Sequence, residues 1–369
     1  MTKTQIMIPD GMRIRGPLLF IAAMSFASMS MSRAQQLPPV EPPQRMPAAQ
    51  AGVPNLRVAT TEVLVPTLVE KKDGGILYGL KQGDFVLEDN GVPQKIKVQP
   101  EMDTAPVALL VAVEQGGTSV LEFDKLARLG PLLDVFLFDP RSQVALVGFD
   151  SAPHLIQDFT PSSDQVNAEL TKLEPGNGGA AILDTVNYAV TLLESRPKEF
   201  RRVLLLISEE RDHGSKHTKG VQLIRKIGES DVLVLSVSYS PAVAEVANDL
   251  KGPYYGQTTP AHTPTPGLPE ESAAGNLLAP LAMALNAAKR NVAKEVAAMS
   301  GGEYTTFVGD KRFEAEILRA ARDARNRYLI TFSPSDPTPG LHTIRVRTGE
   351  DYGARIVARA NYWRDALTQ

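Results

Sequence analysis

The sequence predicts an α/β protein. A doubly wound, mostly parallel sheet is flanked by a β-rich module formed from both ends of the chain. Three observations lead there. Val107–Val113, Arg202–Ser208 and Asp231–Tyr239 are apolar runs of strand length with little alternation, as strands covered on both faces require. The segments between them carry apolar residues at helical spacing. The segments outside them, near residues 55–100 and 328–362, alternate apolar and polar residues and are punctuated by turn signals.

The N-terminus reads as an export signal over residues 1–34. Arg13 and Arg15 precede the apolar run Pro17 to Ala27, and Ser32-Arg33-Ala34 resembles a small-x-small cleavage site. Cleavage after Ala34 places the protein in a secreted or periplasmic location with no stable membrane insertion afterwards. A single-pass anchor is the alternative, but the run is shorter than the ~20 residues a span needs. Translation starts at Met1 or Met12; residues 1–11 add little to such a signal. Residues 35–54 are rich in Pro, Gln and Ala and read as a linker.

Residues 55–103 form the N-terminal β-rich segment. Asn90-Gly91 between apolar-alternating runs is a hairpin turn, with Gln94 to Val98 as the strand after it. Pro66 argues for an edge position or a bulge. Residues 104–326 form the α/β domain. Its expected helices carry Leu126, Leu129, Leu133 and Phe136, then Ser162 to Leu173, Ala181 to Ser195, Thr218 to Glu229, Leu277 to Met299 and Phe313 to Arg325. Residues 251–276, rich in Thr and Pro, read as a disordered insertion. Residues 327–363 supply the strands Tyr328–Phe332, His342–Arg347 and Ala354–Tyr362, which pack with residues 55–103. Trp363, the only tryptophan, is expected to close the core of this smaller module.

Composition narrows the function. The net charge is -3 and the pI near 6.0, which argues against a nucleic-acid or anionic-membrane partner. Cysteine is absent, so disulfides, thiolate metal sites and a Cys nucleophile are all excluded. Val107–Glu114 runs into Gln115-Gly116-Gly117, and the loop at the carboxyl end of such a strand is where an open α/β sheet places its ligands.

Several segments together resemble the von Willebrand factor A (VWA) domain and, more narrowly, a bacterial, exported VWFA-related family of acidobacterial type. Gly79-Leu80 with Asp84-Phe85 and Glu88-Asp89-Asn90-Gly91 resembles that family's GL...DFxVxEDG segment. Gly178-Gly179 with Asp184 resembles GGTALYDA, and Leu204 to Ser215 resembles LLLSDGxDxxS. Tyr328 to Pro334 and Ala358 to Tyr362 resemble the family's tail. The resemblance covers about residue 55 to 363. It implies a Rossmann-like fold and a non-enzymatic protein-interaction role. It also implies a metal-ion-dependent adhesion site in which Asp, Ser and Thr oxygens hold Mg or Mn and a partner carboxylate completes the shell.

At the positions matching that site the chain departs from the pattern. Ala112 stands for the first Asp, Glu114 and Gly116 for the two serines, Ala180 for the Thr and Glu209 for the second Asp. The expectation is therefore a degenerate site and no metal, with binding through top-face loops around Glu114, Asp184, Glu209 and Asp212 or through another face. The alternative is a metal-dependent adhesion protein in which these Glu and Asp residues rebuild a site for Mg, Mn or Ca. The protein partner is unknown from sequence.

Other constellations are weaker. Asp212, His213 and Ser215 have the residue types of a hydrolase triad, but they are neighbours on one loop and no G-x-S-x-G elbow is present. His213 and His217 are read as solvated. Gly176 to Gly179 is read as a helix-entry turn without the Lys of a phosphate loop. Arg319, Arg322, Arg325 and Arg327 are read as a solvated face near a helix C-terminus, with an acidic-partner patch as the alternative.

Overall fold

The computed structural model describes residues 62–99, 105–239 and 279–366. All of them belong to one compact unit, Val58–Gln369. The expected signal peptide, linker and 251–276 insertion lie outside the described residues. The first strands are β1 (Val63–Lys71), β2 (Phe85–Asp89), β3 (Val92–Pro93) and β4 (Ile96–Gln99). The α/β lobe follows as β5 (Val107–Glu114), α1 (Phe123–Leu126), α2 (Gly130–Leu133), β6 (Gln143–Phe149), β7 (Pro153–Thr160), α3 (Ser163–Leu170) and α4 (Ile182–Glu194). It continues with β8 (Arg201–Ser208), α5 (Gly220–Glu229), β9 (Leu233–Tyr239), α6 (Ala279–Arg290), α7 (Val292–Ser300), β10 (Tyr304–Phe307) and α8 (Asp310–Arg325). The chain closes with β11 (Tyr328–Phe332), β12 (Gly340–Thr348), β13 (Ala354–Ala358) and β14 (Asn361–Arg364).

The six-stranded sheet has the order β10-β9-β8-β5-β6-β7. All its pairs are parallel except the last, where β7 runs antiparallel to β6 with irregular register. Every residue of β5 is buried because both faces are covered. Val107, Leu109, Val111 and Val113 face a core that includes Leu126, Leu133, Val166, Phe313 and Ile317. Ala108, Leu110 and Ala112 face Ile182, Val186, Leu223, Ile227 and Val296 on the other side. This alternation is the two-residue period of a strand. Each buried Leu or Val contributes roughly 1.5–3 kcal/mol.

Two four-stranded sheets, β13-β1-β11-β4 and β14-β12-β2-β3, combine strands from both ends of the chain. They share a core of Val65, Val69, Phe85, Leu87, Ile330, Phe332, Ile344 and Tyr362. Pro66 sits in an inner strand, but β11 pairs with residues 63–67 and β13 only with 67–71. Pro66 therefore lies where β1 is paired on one side only, the edge-like setting in which a strand tolerates proline.

Four expectations are corrected. Asn90 and Gly91 both have positive φ and make the expected turn, but the hairpin closes on the two-residue β3. The strand after it, β4, crosses to pair with β11 in the other sheet. The helix carrying Leu126, Leu129, Leu133 and Phe136 is broken into a 3-10 segment, Gly117–Glu122, and two four-residue helices; Gly130-Pro131 restarts it, while all four apolar residues stay buried. The helix expected through Met299 breaks at Asn291, whose side chain caps α7 by accepting from Lys294 N at 2.8 Å. The last strand is two strands in different sheets. Between them Arg359 is buried and donates to the Ile227, Gly228 and Ser230 carbonyls at 3.1, 3.0 and 3.2 Å, which completes the C-terminus of α5.

Trp363 is also not where the sequence suggested. It packs on the α/β lobe, its backbone against Gly228 of α5 and its ring 5.8 Å from the Arg225 guanidinium. It fastens the β-rich module to α5 rather than filling that module's core, where Tyr362 lies instead.

Candidate functional site

The chain leaves β5 towards β6 and β7 on one side, then returns to β8 on the other. The loops after β5 and β8 therefore diverge at their carboxyl ends, the crevice in which sheets of this kind hold ligands. Glu114 ends β5, and Glu209 follows β8. The structure brings these two together: Glu209 N donates to Glu114 Oε2 at 2.9 Å.

Glu114 is 2% exposed. Burial pushes its carboxyl up to about 8; the Glu209 N–H opposes this and the Glu209 charge adds to it. At neutral pH Glu114 is mainly the neutral acid. The Tyr239 hydroxyl, at the end of β9, lies beside it, and burial above all holds that phenol protonated. Glu209 is also shifted up by burial, against the pull of His213. The His213 Nε2 pairs with Glu209 Oε1.

The other acidic residues of the face secure the β8–α5 loop. Asp184, in the first turn of α4, accepts from Lys216 N at 2.8 Å, His217 N at 3.2 Å and Thr218 N at 2.6 Å. Burial would raise its carboxyl, but these backbone N–H groups and the Thr218 hydroxyl outweigh it and hold Asp184 below the usual range. Asp212 Oδ1 accepts from Leu183 N at 3.0 Å and from Ser215 Oγ at 2.5 Å. Ser215 Oγ in turn accepts from Asp184 N at 3.0 Å. His213 faces Glu209 and Ser215 faces Asp212, so the residue types of a triad do not form one relay.

Ala112 and Ala180 are fully buried in the core. At Gly116 a Cβ would stand 2.1 Å from Gly179 O and 2.7 Å from Asn177 O. The 176–181 segment lies directly on the β5 loop: Gly176 N donates to Gln115 O at 2.8 Å, and Ala181 N to Asp150 O at 2.7 Å. Asn177 and Asp150 hold it there. Asn177 N donates to Asp150 Oδ2 at 3.0 Å, and Asn177 Nδ2 to Ser151 Oγ at 2.7 Å.

The adhesion-site cation that the resemblance implies does not fit these residues. Ala112 and Ala180 offer no side-chain oxygen, the place of a serine at 116 is filled by carbonyls, and the Asp184 oxygens are committed to backbone N–H groups. Glu114 and Glu209 remain, too few for the octahedral oxygen shell of Mg. Among the described residues no group of three or more His, Asp or Glu is arranged to hold a metal ion.

Tyr239, Asn177 and Asp150 were not singled out from sequence. Tyr239 ends an apolar strand and carries no motif. Asn177 lies within a glycine-rich turn that reads as featureless. The arginines of α8 require a correction. Arg319, Arg322 and Arg327 are not a solvated face. Arg319 pairs with Glu303 at 3.2 Å, Arg322 with Glu70 at 3.2 Å, and Arg327, 2% exposed, donates to Gly301 O at 2.6 Å. Arg325 lies over the Phe138 ring, 3.7 Å from its centroid. These pairs were invisible because Glu70, Glu303 and Phe138 are distant in sequence.

The family model described as von Willebrand factor type A domain matches residues 120–211, from the loop after β5 to the loop after β8. No curated protein matches the chain. Among solved structures, the chain is similar to an aerotolerance-related membrane protein from Bacteroides fragilis (15% identity, 58% of this chain, 98% of that chain, TM-score 0.38). It is similar to the conserved hypothetical protein BatB from Bacteroides thetaiotaomicron (15% identity, 58% and 99%, TM-score 0.38). It is also similar to the vWF domain of the type V pili tip protein Mfa5 from Porphyromonas gingivalis (18% identity, 30% and 39%, TM-score 0.26).

Proposed function

Taking residues 120–211 as a von Willebrand factor type A domain, we propose that the protein is an exported, non-catalytic protein-interaction module of a bacterial VWFA-related type, whose metal site has degenerated. Domains of this type generally serve adhesion or interaction rather than catalysis. The observation that carries the metal-free reading is the closed top face: backbone carbonyls occupy the space beside Gly116, and the Asp184 carboxylate is spent on the β8–α5 loop. A partner meets the outer side of these loops, where Val120, Leu121, Arg211, Lys216 and Lys219 are exposed. Export is supported by the residues before Gln35, and among the described residues no helix is long and apolar enough to cross a membrane.

The test is a thermal melt of the protein in EDTA and then with millimolar Mg, Mn or Ca. A ligand that binds only the native state must stabilise it. The expected result is an unchanged melting temperature. A rise of several degrees that Glu114→Ala or Glu209→Ala abolishes overturns the reading and restores metal-dependent adhesion through an acidic site.

A further inference from the structure

The β-rich module meets the α/β lobe along a seam of charge. Glu70 comes from β1, Arg355 from β13, Glu303 from the α7–β10 connection, Glu316, Arg319, Arg322 and Asp323 from α8, and Arg327 from the turn after it. Glu303, Glu316 and Asp323 are each more than nine-tenths buried. Glu303 Oε1 accepts from Arg355 at 2.5 Å and from Arg319 at 3.2 Å. Asp323 Oδ1 accepts from Arg322 at 2.7 Å.

The other oxygen of each acid is different. Glu303 Oε2 and Asp323 Oδ2 receive no hydrogen bond from any N–H or hydroxyl group, although both are buried. Arg319 reaches both carboxyl groups, its Nη2 3.2 Å from Glu303 Oε1 and its Nε 3.4 Å from Asp323 Oδ2. Both residues line a cavity of about 10 Å³, room for a single water, whose wall also carries the unpaired Thr305 Oγ1 and Glu316 Oε2. Two buried carboxylates that line one water-sized cavity repel each other. One proton between them turns that repulsion into a charge-assisted hydrogen bond.

We propose that Glu303 and Asp323 hold one proton between them, carried on Asp323, and that this proton closes the seam between the α/β lobe and the β-rich module. The surrounding charges decide which acid carries it. Burial raises the Glu303 carboxyl, but a hydrogen bond from Asp323 and then the charges of Arg355, Arg319 and Arg327 outweigh it, so Glu303 is the ionised partner. Burial, then the hydrogen bond and charge of Glu303, push Asp323 up to about 7 against Arg322. Glu70 is held by Arg322 and Arg355 and Glu316 by Arg312; Arg327 faces Asp323 as well as Glu303, and Arg319 Nε lies 3.4 Å from Asp323 Oδ2, but neither donates a hydrogen bond to that oxygen. A carboxyl raised in the fold keeps its proton where the unfolded chain has released it. Its stabilisation is therefore fully present only below the ordinary value of an unfolded aspartate and is lost as pH rises through the folded value. Loss of the proton leaves two adjacent buried charges, and the seam loosens.

The experiment is urea unfolding of the full chain from pH 5 to 8, wild type against Asp323→Asn. The asparagine amide donates to Glu303 at every pH, and its oxygen still accepts from Arg322. One linked proton changes the unfolding equilibrium constant by up to about tenfold per pH unit. The variant should lose up to that much of the wild-type dependence between pH 5 and 7. Identical profiles for the two proteins overturn the proposal. If the variant does not fold, wild-type protein labelled with ¹³C at its aspartate carboxyls decides. An aspartate titrating above pH 6 is the expected result, and aspartates all ionised by pH 5 overturn the proposal.

Discussion

At the carboxyl edge of the sheet Asp184 is satisfied by backbone N–H groups of one loop, whereas at the seam only Oε1 of Glu303 is satisfied, by guanidinium groups from α8 and β13. The difference lies in what each cluster holds together. Backbone donors are local and neutral, so Asp184 fixes the shape of the β8–α5 loop. Guanidinium donors come from separate parts of the chain, so Glu303 and Asp323 join two lobes and must balance charge as well as hydrogen bonds. A surface that keeps its shape through neutral donors presents a fixed outer face. A seam built on ions responds to any change in its charge count.

The largest expected effect breaks the seam. Arg327 donates to Gly301 O and Asp323 O and faces the Glu303 carboxylate from a fully buried position. Arg327→Met removes a cation from among buried acids and orphans these carbonyls, a change that costs about 3–5 kcal/mol. Denaturant unfolding should show that loss, whereas the seam reading fails if the variant is as stable as wild type.

These two regions also differ in how much of them could be read from the residues alone. The central strands were plain because burial on both faces writes a continuous apolar run, as in Val107–Val113. The top face was legible in outline, since Glu114, Glu209, Asp184 and Asp212 stand at motif positions. Its closure was not, because it depends on the Gly179 and Asn177 carbonyls, and backbone atoms leave no signature in a side-chain pattern. The seam was misread. Arg319 and Arg322 sit on a helix with a charged stripe, which looks the same whether it faces water or a buried row of acids. Only the placement of Glu70 and Glu303, from two other segments, tells the cases apart. Gly301, with φ 86°, ends α7 and lets the backbone of Arg359 pass within 2.6 Å of where its Cβ would be. That contact between segments 58 residues apart in number could not be inferred from a helix-ending glycine.

A smaller effect sharpens the description of the top face. Gly116→Ser restores an oxygen-bearing side chain at a position where the resemblance implies one. Here its Cβ meets Gly179 O, a backbone atom with no rotamer to escape into. The expected outcome is a destabilisation of about 3 kcal/mol, with no added response to Mg. A stable variant that Mg stabilises further would show that the 176–181 segment opens readily, and that the closed face is one of two available states.

The effect that is smallest at any one step of pH is carried by Glu114, which tests whether the neutral donors of the top face are matched by a neutral acid. Its carboxyl is raised in the fold, so the folded state retains a proton that the unfolded chain gives up above about pH 4.5. Stability from this group therefore declines from that point until pH passes about 8, where the folded carboxyl ionises as well. Glu114→Gln keeps an acceptor for Glu209 N and cannot ionise. Its unfolding free energy should fall less steeply than that of wild type between pH 5 and 8, by on the order of 1 kcal/mol per pH unit. Asp323→Asn acts in the same direction mainly over pH 5 to 7, so the two variants can be told apart by where the slope changes: between pH 7 and 8 Glu114→Gln should alter it more than Asp323→Asn does. If Glu114→Gln leaves that interval unchanged, the carboxyl at the end of β5 is ionised in the fold, and the top face holds a buried negative charge that a cation could answer.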